Sequence, residues 1–163
     1  MSTSYDVIVI GAGPGGYVCA IRAAQLGLRT AVVDKEWLGG VCLNVGCIPS
    51  KSLLKNAEVA EILRHRSKDF VFSFDNLELD FGAAVKRSRQ VSDRLTKGVG
   101  FLMKKNNIDV HFGAAVIKSK SGVEITDKDG QKKILESRHI VIATGARPSL
   151  IPGVIADGKK ILT

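Results

Sequence analysis

Residues 5–16 read YDVIVIGAGPGG and residues 29–34 read RTAVVD. The first stretch opens with a short apolar run rich in β-branched residues, the pattern of a strand buried on both faces of a parallel sheet. It runs directly into Gly11, Gly13 and Gly16, spaced G-x-G-x-x-G, with Gly15 beside them. A helix is expected from about Gly15 to Leu26, closed by Gly27, and Arg29–Asp34 reads as the next strand. Asp34 ends that strand 18 residues beyond Gly16. Strand, glycine turn, helix, strand and acid in that register form a dinucleotide-binding βαβ unit. The glycines let the backbone approach a pyrophosphate at a helix N-terminus, and the acid accepts from a ribose hydroxyl. Glu36 is the second candidate acid. The spacing serves FAD and NAD alike.

Residues 39–51 read GGVCLNVGCIPSK and hold two of the three cysteines, Cys42 and Cys47, with four residues between them. Such a pair can be two buried thiols, a structural bridge, half a metal site or an exchangeable dithiol. A structural zinc site needs about four ligands in closely spaced pairs. Cys19, His65, His111 and His139 are scattered and form no second pair, so no metal is expected. On a regular α-helix, positions five apart have Cα atoms about 8.6 Å apart. A disulfide spans roughly 4.4–6.8 Å, so a bridge between the two requires a departure from regular helix. Gly46 permits one, and Pro49 would clash with the Val45 carbonyl in a continuous helix. Pro49 suits the first turn of a helix beginning near Ser50. Cys47 would then lie just before a helix N-terminus, where the dipole favours a thiolate.

The 163 residues suffice for one domain with its own core, and 45% are hydrophobic. No apolar run approaches the roughly 18 residues of a membrane helix, and YDVIVI begins without a charged-then-apolar leader. A cytoplasmic protein with a catalytic cysteine pair is expected. The net charge of +8 raises nucleic-acid binding. The basic residues between Arg64 and Lys105, however, lie on helices with apolar faces and lack the interleaved aromatics of a base-stacking platform. Neither nucleic acid nor membrane is an expected partner.

Ser50 to His65 reads as an amphipathic helix carrying Leu53, Leu54, Ala57, Ala60, Ile62 and Leu63. Phe70, Phe72 and Phe74 alternate as in a short extended segment. Phe81–Lys105 is the clearest helix, with Phe81, Ala84, Ser88, Val91, Leu95, Val99 and Leu102 as its apolar face, a structural partner for the Ser50 helix without chemistry of its own. Strands return as IDVHF, AAVIKS, GVEIT, KKILES and HIVIATG, with a hairpin signal at Asp129-Gly130. They are read as a small antiparallel meander whose last strand rejoins the parallel sheet. Cys19 reads as a core thiol, and His111 and His139 as strand residues without catalytic roles.

GGVCLNVGCIPSK closely resembles the active-site segment of the flavin disulfide reductases, the class I pyridine nucleotide-disulfide oxidoreductases. Within them it is most similar to the dihydrolipoamide dehydrogenases, and the likeness runs from Tyr5 to the last residue. Departures are Val41, where many members carry Thr, and Asp34, where they usually carry Glu. The resemblance implies an α/β, Rossmann-like FAD-binding domain with a parallel sheet, a long antiparallel helix pair and a small β-meander. It implies FAD at the βαβ unit, with Gly11, Gly13, Gly15, Gly16, Asp34, Lys35 and Gly40 as binding residues. Lys51 would approach the flavin, Thr144 and Gly145 in ATG would make a second flavin contact, and Ala115 a backbone contact on the adenine side. Cys42 would be the outer thiol exchanging with dihydrolipoamide, and Cys47 the thiolate forming a charge-transfer pair with the flavin. Electrons would then pass through FAD to NAD+.

By the same resemblance, residues 1–163 are the N-terminal part of an FAD-binding domain. The NAD-binding domain, the rest of the flavin domain and a C-terminal dimerisation domain with a catalytic His–Glu pair would lie beyond Thr163. The expected partners are the lipoyl group of a 2-oxo acid dehydrogenase complex or of a glycine cleavage protein, and a second subunit in a homodimer. The 163 residues alone are expected not to turn over dihydrolipoamide with NAD+. Two other readings stay open: a stand-alone flavin-binding module whose cysteines sense redox state, and a mercuric or glutathione reductase type.

Overall fold

In the first strand, β1 (Thr3–Ile10), alternate side chains leave on opposite faces. Val7 and Val9 enter one apolar cluster with Val32, and Ile8 and Ile10 enter another with Ala31 and Val33. A strand buried on both sides has no polar face to show, which is why YDVIVI carries no alternation. The computed structural model describes residues 3–149 and 151–161. Met1, Ser2, Leu150, Leu162 and Thr163, and so both ends of the expected 1–163 domain, lie outside the described residues.

β1 leads through the glycine turn into α1 (Pro14–Gln25), β2 (Thr30–Asp34), α2 (Gly40–Asn44) and α3 (Cys47–His65). A 3-10 turn over Ser67–Phe70 precedes α4 (Phe81–Lys105), and then come β3 (Asp109–Phe112), β4 (Ala114–Ile117), β5 (Gly122–Thr126) and β6 (Lys132–Ile142). All six strands form one sheet in the order β3-β2-β1-β6-β5-β4. β1 pairs in parallel with β2 (Val7 opposite Thr30) and with β6 (Ile10 opposite Ile142), and β2 pairs in parallel with β3. β4, β5 and the start of β6 are antiparallel. The expected α/β fold with a parallel sheet, a helix pair and an antiparallel meander is present. Among the described residues no helix is long and apolar enough to cross a membrane.

The two faces of the sheet carry different partners. On one, Ala20 and Ala23 of α1, Leu43 of α2, and Val99 and Met103 of α4 pack on Val7, Val9 and Val32. On the other, Val123, Ile125 and Leu135 fold over Ile8, Ile10 and Val33, so the meander supplies the second layer. Tyr5 closes the edge of this layer. Its hydroxyl donates to Asp109 Oδ2 at 2.8 Å and lies 3.2 Å from His111 Nε2. Burial, then the hydrogen bond to Asp109, pushes the phenol up to about 12. His111 is held below its usual range by burial and by the neighbouring Lys133.

Several elements differ from the sequence reading. IDVHF belongs to the parallel sheet beside β2, and KKILES and HIVI form the single strand β6, with residues 143–145 just beyond it. β6 gives residues 132–136 to β5 and residues 135–142 to β1, so its burial pattern changes midway and imitates two strands. The phenylalanines after the 3-10 turn form no strand. The apolar face assigned to α4 is met in part: Ser88 and Val99 are buried, together with Ser92 and Met103, whereas Phe81 is 74% exposed. Arg87 of α4 ties it to α3, its Nη1 donating to Ser52 Oγ at 2.9 Å and to Asn56 Oδ1 at 3.1 Å. On α3, Leu54 points outward at 66% exposure and Ser52 inward.

The tightest passage is the glycine turn, where a Cβ on Gly16 would overlap the Gly11 carbonyl oxygen. Backbone cannot yield as a side chain can, so Gly16→Ala should lower stability by at least about 2 kcal/mol. Gly15→Ala meets nothing within 4 Å and should stay within about 1 kcal/mol of the native chain. Urea-unfolding midpoints check both.

Candidate functional site

The glycine turn joins three elements at the C-terminal edge of the parallel strands. Gly11 has φ +102°, and a Cβ there would collide with the Ala143 carbonyl just beyond β6. Gly11 N–H donates to Val33 O at 2.7 Å and Ala143 N–H to Ile10 O at 2.8 Å. Ala143-Thr144-Gly145 is thereby held beside the turn, with Thr144 and Gly145 exposed. The N-cap of α1 is Gly13, no side chain caps the helix, and no acidic residue occupies its first turn. Its leading N–H groups and the positive end of its dipole are therefore left for an anion. The space over Gly15 is open. This turn fits the pyrophosphate of a dinucleotide.

Asp34 is more committed than the sequence suggests. Its Oδ2 accepts from Ala12 N–H at 2.7 Å, and its Oδ1 accepts from Glu36 N–H at 2.8 Å and Trp37 N–H at 3.0 Å. A carboxylate offers about four acceptor positions, and three are filled by backbone. The carboxylate thus clamps the glycine turn to the loop after β2, with little capacity left for a ribose hydroxyl. Glu36 is exposed, and its side chain, with Lys35, lines an open groove of about 530 Å³ that also takes in Phe112, Gly113, Ala114 and the hairpin residues 126–129. Gly113 N–H donates to Asp34 O at 2.9 Å, which brings the start of β4 to the end of β2. Ala115 lies next along β4, half-buried against the second-face cluster, adjacent to this groove and outside its lining.

The same loop carries the cysteines to the glycine turn. Gly39 N–H donates to Ala12 O at 2.8 Å. Gly39 and Gly40 both have positive φ, +86° and +57°, and a Cβ on Gly40 would lie 2.7 Å from Gly13 Cα. Only glycine permits that turn and that approach together. Gly40 begins α2, which ends at Asn44. Val45 and Gly46 break the helix, and α3 restarts at Cys47, with Pro49 in its first turn. The helix therefore starts three residues before the expected Ser50. Pro49 forbids continuation from α2, but it tolerates the first turn of a new helix, where its missing N–H costs nothing.

Cys42 and Cys47 consequently lie on two separate helices, and both are free thiols in hydrogen-bond contact. That hydrogen bond, then burial and the nearby Cys47 charge, pushes the Cys42 thiol above its ordinary range, and the positive charge of Lys51 opposes the shift. Lys51, one turn beyond Cys47 on α3, is exposed yet felt at Cys42. Cys47 is exposed and Cys42 half-buried against the first-face core. Cys19 faces the same core from α1.

Nearly all of the expected site residues thus converge: the glycine turn, Asp34, Gly40, Cys42, Cys47, Lys51, Thr144 and Gly145 lie at one edge of the sheet, with Lys35 and Ala115 at the adjoining groove. Sequence reading missed Asn44. Its Nδ2 donates to Leu38 O at 2.9 Å and Gly40 O at 2.8 Å, and its Oδ1 accepts from Thr96 of α4 at 3.3 Å. A polar residue midway between two cysteines was the available signal.

A sequence profile described as pyridine nucleotide-disulphide oxidoreductase matches residues 5–163. The dihydrolipoyl dehydrogenase of Chlorobaculum parvum is 48% identical over 162 residues, covering 99% of this chain and 34% of that protein. That of Rhizobium etli is 50% identical over 180 residues, covering 100% of this chain and 37% of that protein. Among solved structures, the Cu(II) complex of the HOCl-induced flavoprotein disulfide reductase RclA from Escherichia coli superimposes with a TM-score of 0.76 at 26% identity, over 93% of this chain and 31% of that chain. The chain spans about a third of the length of the curated relatives it matches.

Because the hydrogen bond with Cys47 is the largest cause of the raised Cys42 thiol, Cys47→Ala should bring the pH midpoint of Cys42 alkylation down towards the usual thiol value, about 8.5. Iodoacetamide rates from pH 6 to 11, with the label mapped by mass spectrometry, measure it. An unchanged or higher midpoint would contradict the assignment.

Proposed function

The chain belongs to the pyridine nucleotide-disulphide oxidoreductase family, and on that footing we propose that it is the N-terminal part of the FAD-binding domain of a dihydrolipoamide dehydrogenase. The observation that carries this reading is the contact of Gly40 with Gly13, which ties the cysteine segment to the nucleotide turn. The pyrophosphate of FAD is assigned to the first turn of α1. Its adenine end is assigned to the groove of Lys35, Glu36 and Ala114, close to Ala115. The isoalloxazine side is assigned to the edge formed by Cys47, Lys51, Thr144 and Gly145.

The dithiol chemistry follows from the pair. In the oxidised enzyme a thiolate of dihydrolipoamide attacks Cys42 Sγ, breaking the Cys42–Cys47 bond and releasing Cys47 as thiolate. The second thiol of the substrate then attacks the mixed disulfide, which frees Cys42 and yields lipoamide. Two electrons and two protons leave the substrate, and the protein gains a dithiol. FAD, when bound, carries the electron pair from that dithiol to NAD+. Cys47, exposed in this chain, is the sulfur proposed to face the flavin ring, and Cys42 is the sulfur proposed for exchange. Lys51 contributes a positive charge that favours the thiolate state of the pair.

The lipoyl group of a 2-oxo acid dehydrogenase complex or of a glycine cleavage protein is the proposed partner, within a homodimer in the cytoplasm. The nicotinamide and dimerisation domains of such an enzyme would lie outside these 163 residues. The test is a titration of the purified chain with FAD, followed by one equivalent of dithionite. The expected result is retained flavin that gains a long-wavelength absorption band on reduction, lost in Cys47→Ser more than in Cys42→Ser. Failure to retain FAD, or a band indifferent to Cys47, would contradict the proposal.

A further inference from the structure

We infer that Asn44, anchored by Thr96 and Arg89 of α4, is a positioning residue that sets the ease with which Cys42 and Cys47 join. The inference rests on the reading of those cysteines as the redox pair. α2 has five residues, too few for a helix to hold itself in water, so its geometry depends on ties from outside. Asn44 supplies them from the last position of α2, two residues after Cys42 and three before Cys47.

Both protons of its amide are used within the segment, on Leu38 O and Gly40 O. The side chain thereby joins the end of α2 to the turn that starts it. The remaining polar groups face α4: Oδ1 accepts from Thr96 Oγ1 at 3.3 Å, and the backbone carbonyl accepts from Arg89 Nη1 at 2.9 Å. One turn beyond Thr96, Gly100 leaves space for Leu38, whose Cδ1 would lie 3.6 Å from a Cβ there. Arg89, Thr96 and Gly100 are at helical spacing, so one face of α4 holds the segment on which Cys42 rides. Val45 and Gly46, whose N–H groups both donate to Val41 O at 2.9 and 2.7 Å, link this fixed segment to the helix that carries Cys47. Fixing α2 lowers the entropy lost when the disulfide forms and raises the effective concentration of one thiol at the other.

The purified chain is equilibrated with reduced and oxidised glutathione, and the Cys42–Cys47 disulfide is quantified by differential alkylation and peptide mapping. One glutathione disulfide is reduced to two glutathione thiols for each protein disulfide formed, so the ratio gives an equilibrium constant for disulfide formation. Asn44→Ala should lower that constant about tenfold, the scale of losing a small hydrogen-bond network. Thr96→Val, which removes one hydroxyl outside the cysteine segment, should lower it about threefold in the same direction. Urea midpoints are measured in parallel. A constant unmoved in Thr96→Val and in any folded Asn44→Ala, with only stability reduced, would overturn the inference and leave Asn44 a structural residue. A native chain that forms no Cys42–Cys47 disulfide at any ratio would overturn the redox reading and this inference with it.

Discussion

Two backbone approaches that only glycine allows fix the distances on which the site depends. Gly16 lies over the Gly11 carbonyl, which seats α1 against the ends of β1 and β6. Gly40 lies over Gly13, which seats the cysteine segment against α1. A methyl group at either position would push backbone against backbone, where no rotamer change relieves the overlap. The helix N-terminus, the end of the sheet and the two thiols are thereby held in one small volume. Asp34 reinforces this arrangement through three backbone N–H groups drawn from both sides of it. Its carboxylate is first a structural clamp, and any role towards a ribose uses what acceptor capacity remains.

The cysteine segment shows how a local break becomes chemistry. Five-residue spacing on an unbroken helix would hold two sulfurs apart. Gly46 and Pro49 end one helix and start another between them, and the two thiols come within hydrogen-bond reach. The resulting asymmetry is electrostatic as well as geometric: Cys42 is drawn up by its hydrogen bond to Cys47, while Lys51 acts in the opposite sense. A pair whose sulfurs differ in thiolate character and in exposure is suited to exchange with one partner at a time.

Much of this was legible in the residues. The βαβ unit announced itself because a strand buried on both faces, a glycine turn and a terminal acid leave a pattern within about thirty residues. The helix break was readable from Gly46 and Pro49, since both act through local backbone sterics. What escaped depends on partners distant in sequence. β3 lies parallel to β2 with α2, α3 and α4 between them, and IDVHF carries nothing that marks its direction. β6 reads as two strands because its neighbours change at Leu135. The buried face of α4 takes in Ser92 and Met103 beside the expected Ser88 and Val99, and the apolar pattern passes over a buried serine, while Phe81 and Leu95 stay exposed. α2 is too short to leave a periodic signal, and the ties of Asn44 to α4 span 45 and 52 residues.

The central claim is that Cys42 and Cys47 form one exchangeable dithiol held at the nucleotide turn. Its most direct test is to incubate the fully reduced chain with lipoamide and map the products. The account predicts a Cys42–Cys47 disulfide, Cys19 still free, and one dihydrolipoamide released per disulfide formed. Cross-links through Cys19, or a chain left fully reduced, would contradict it.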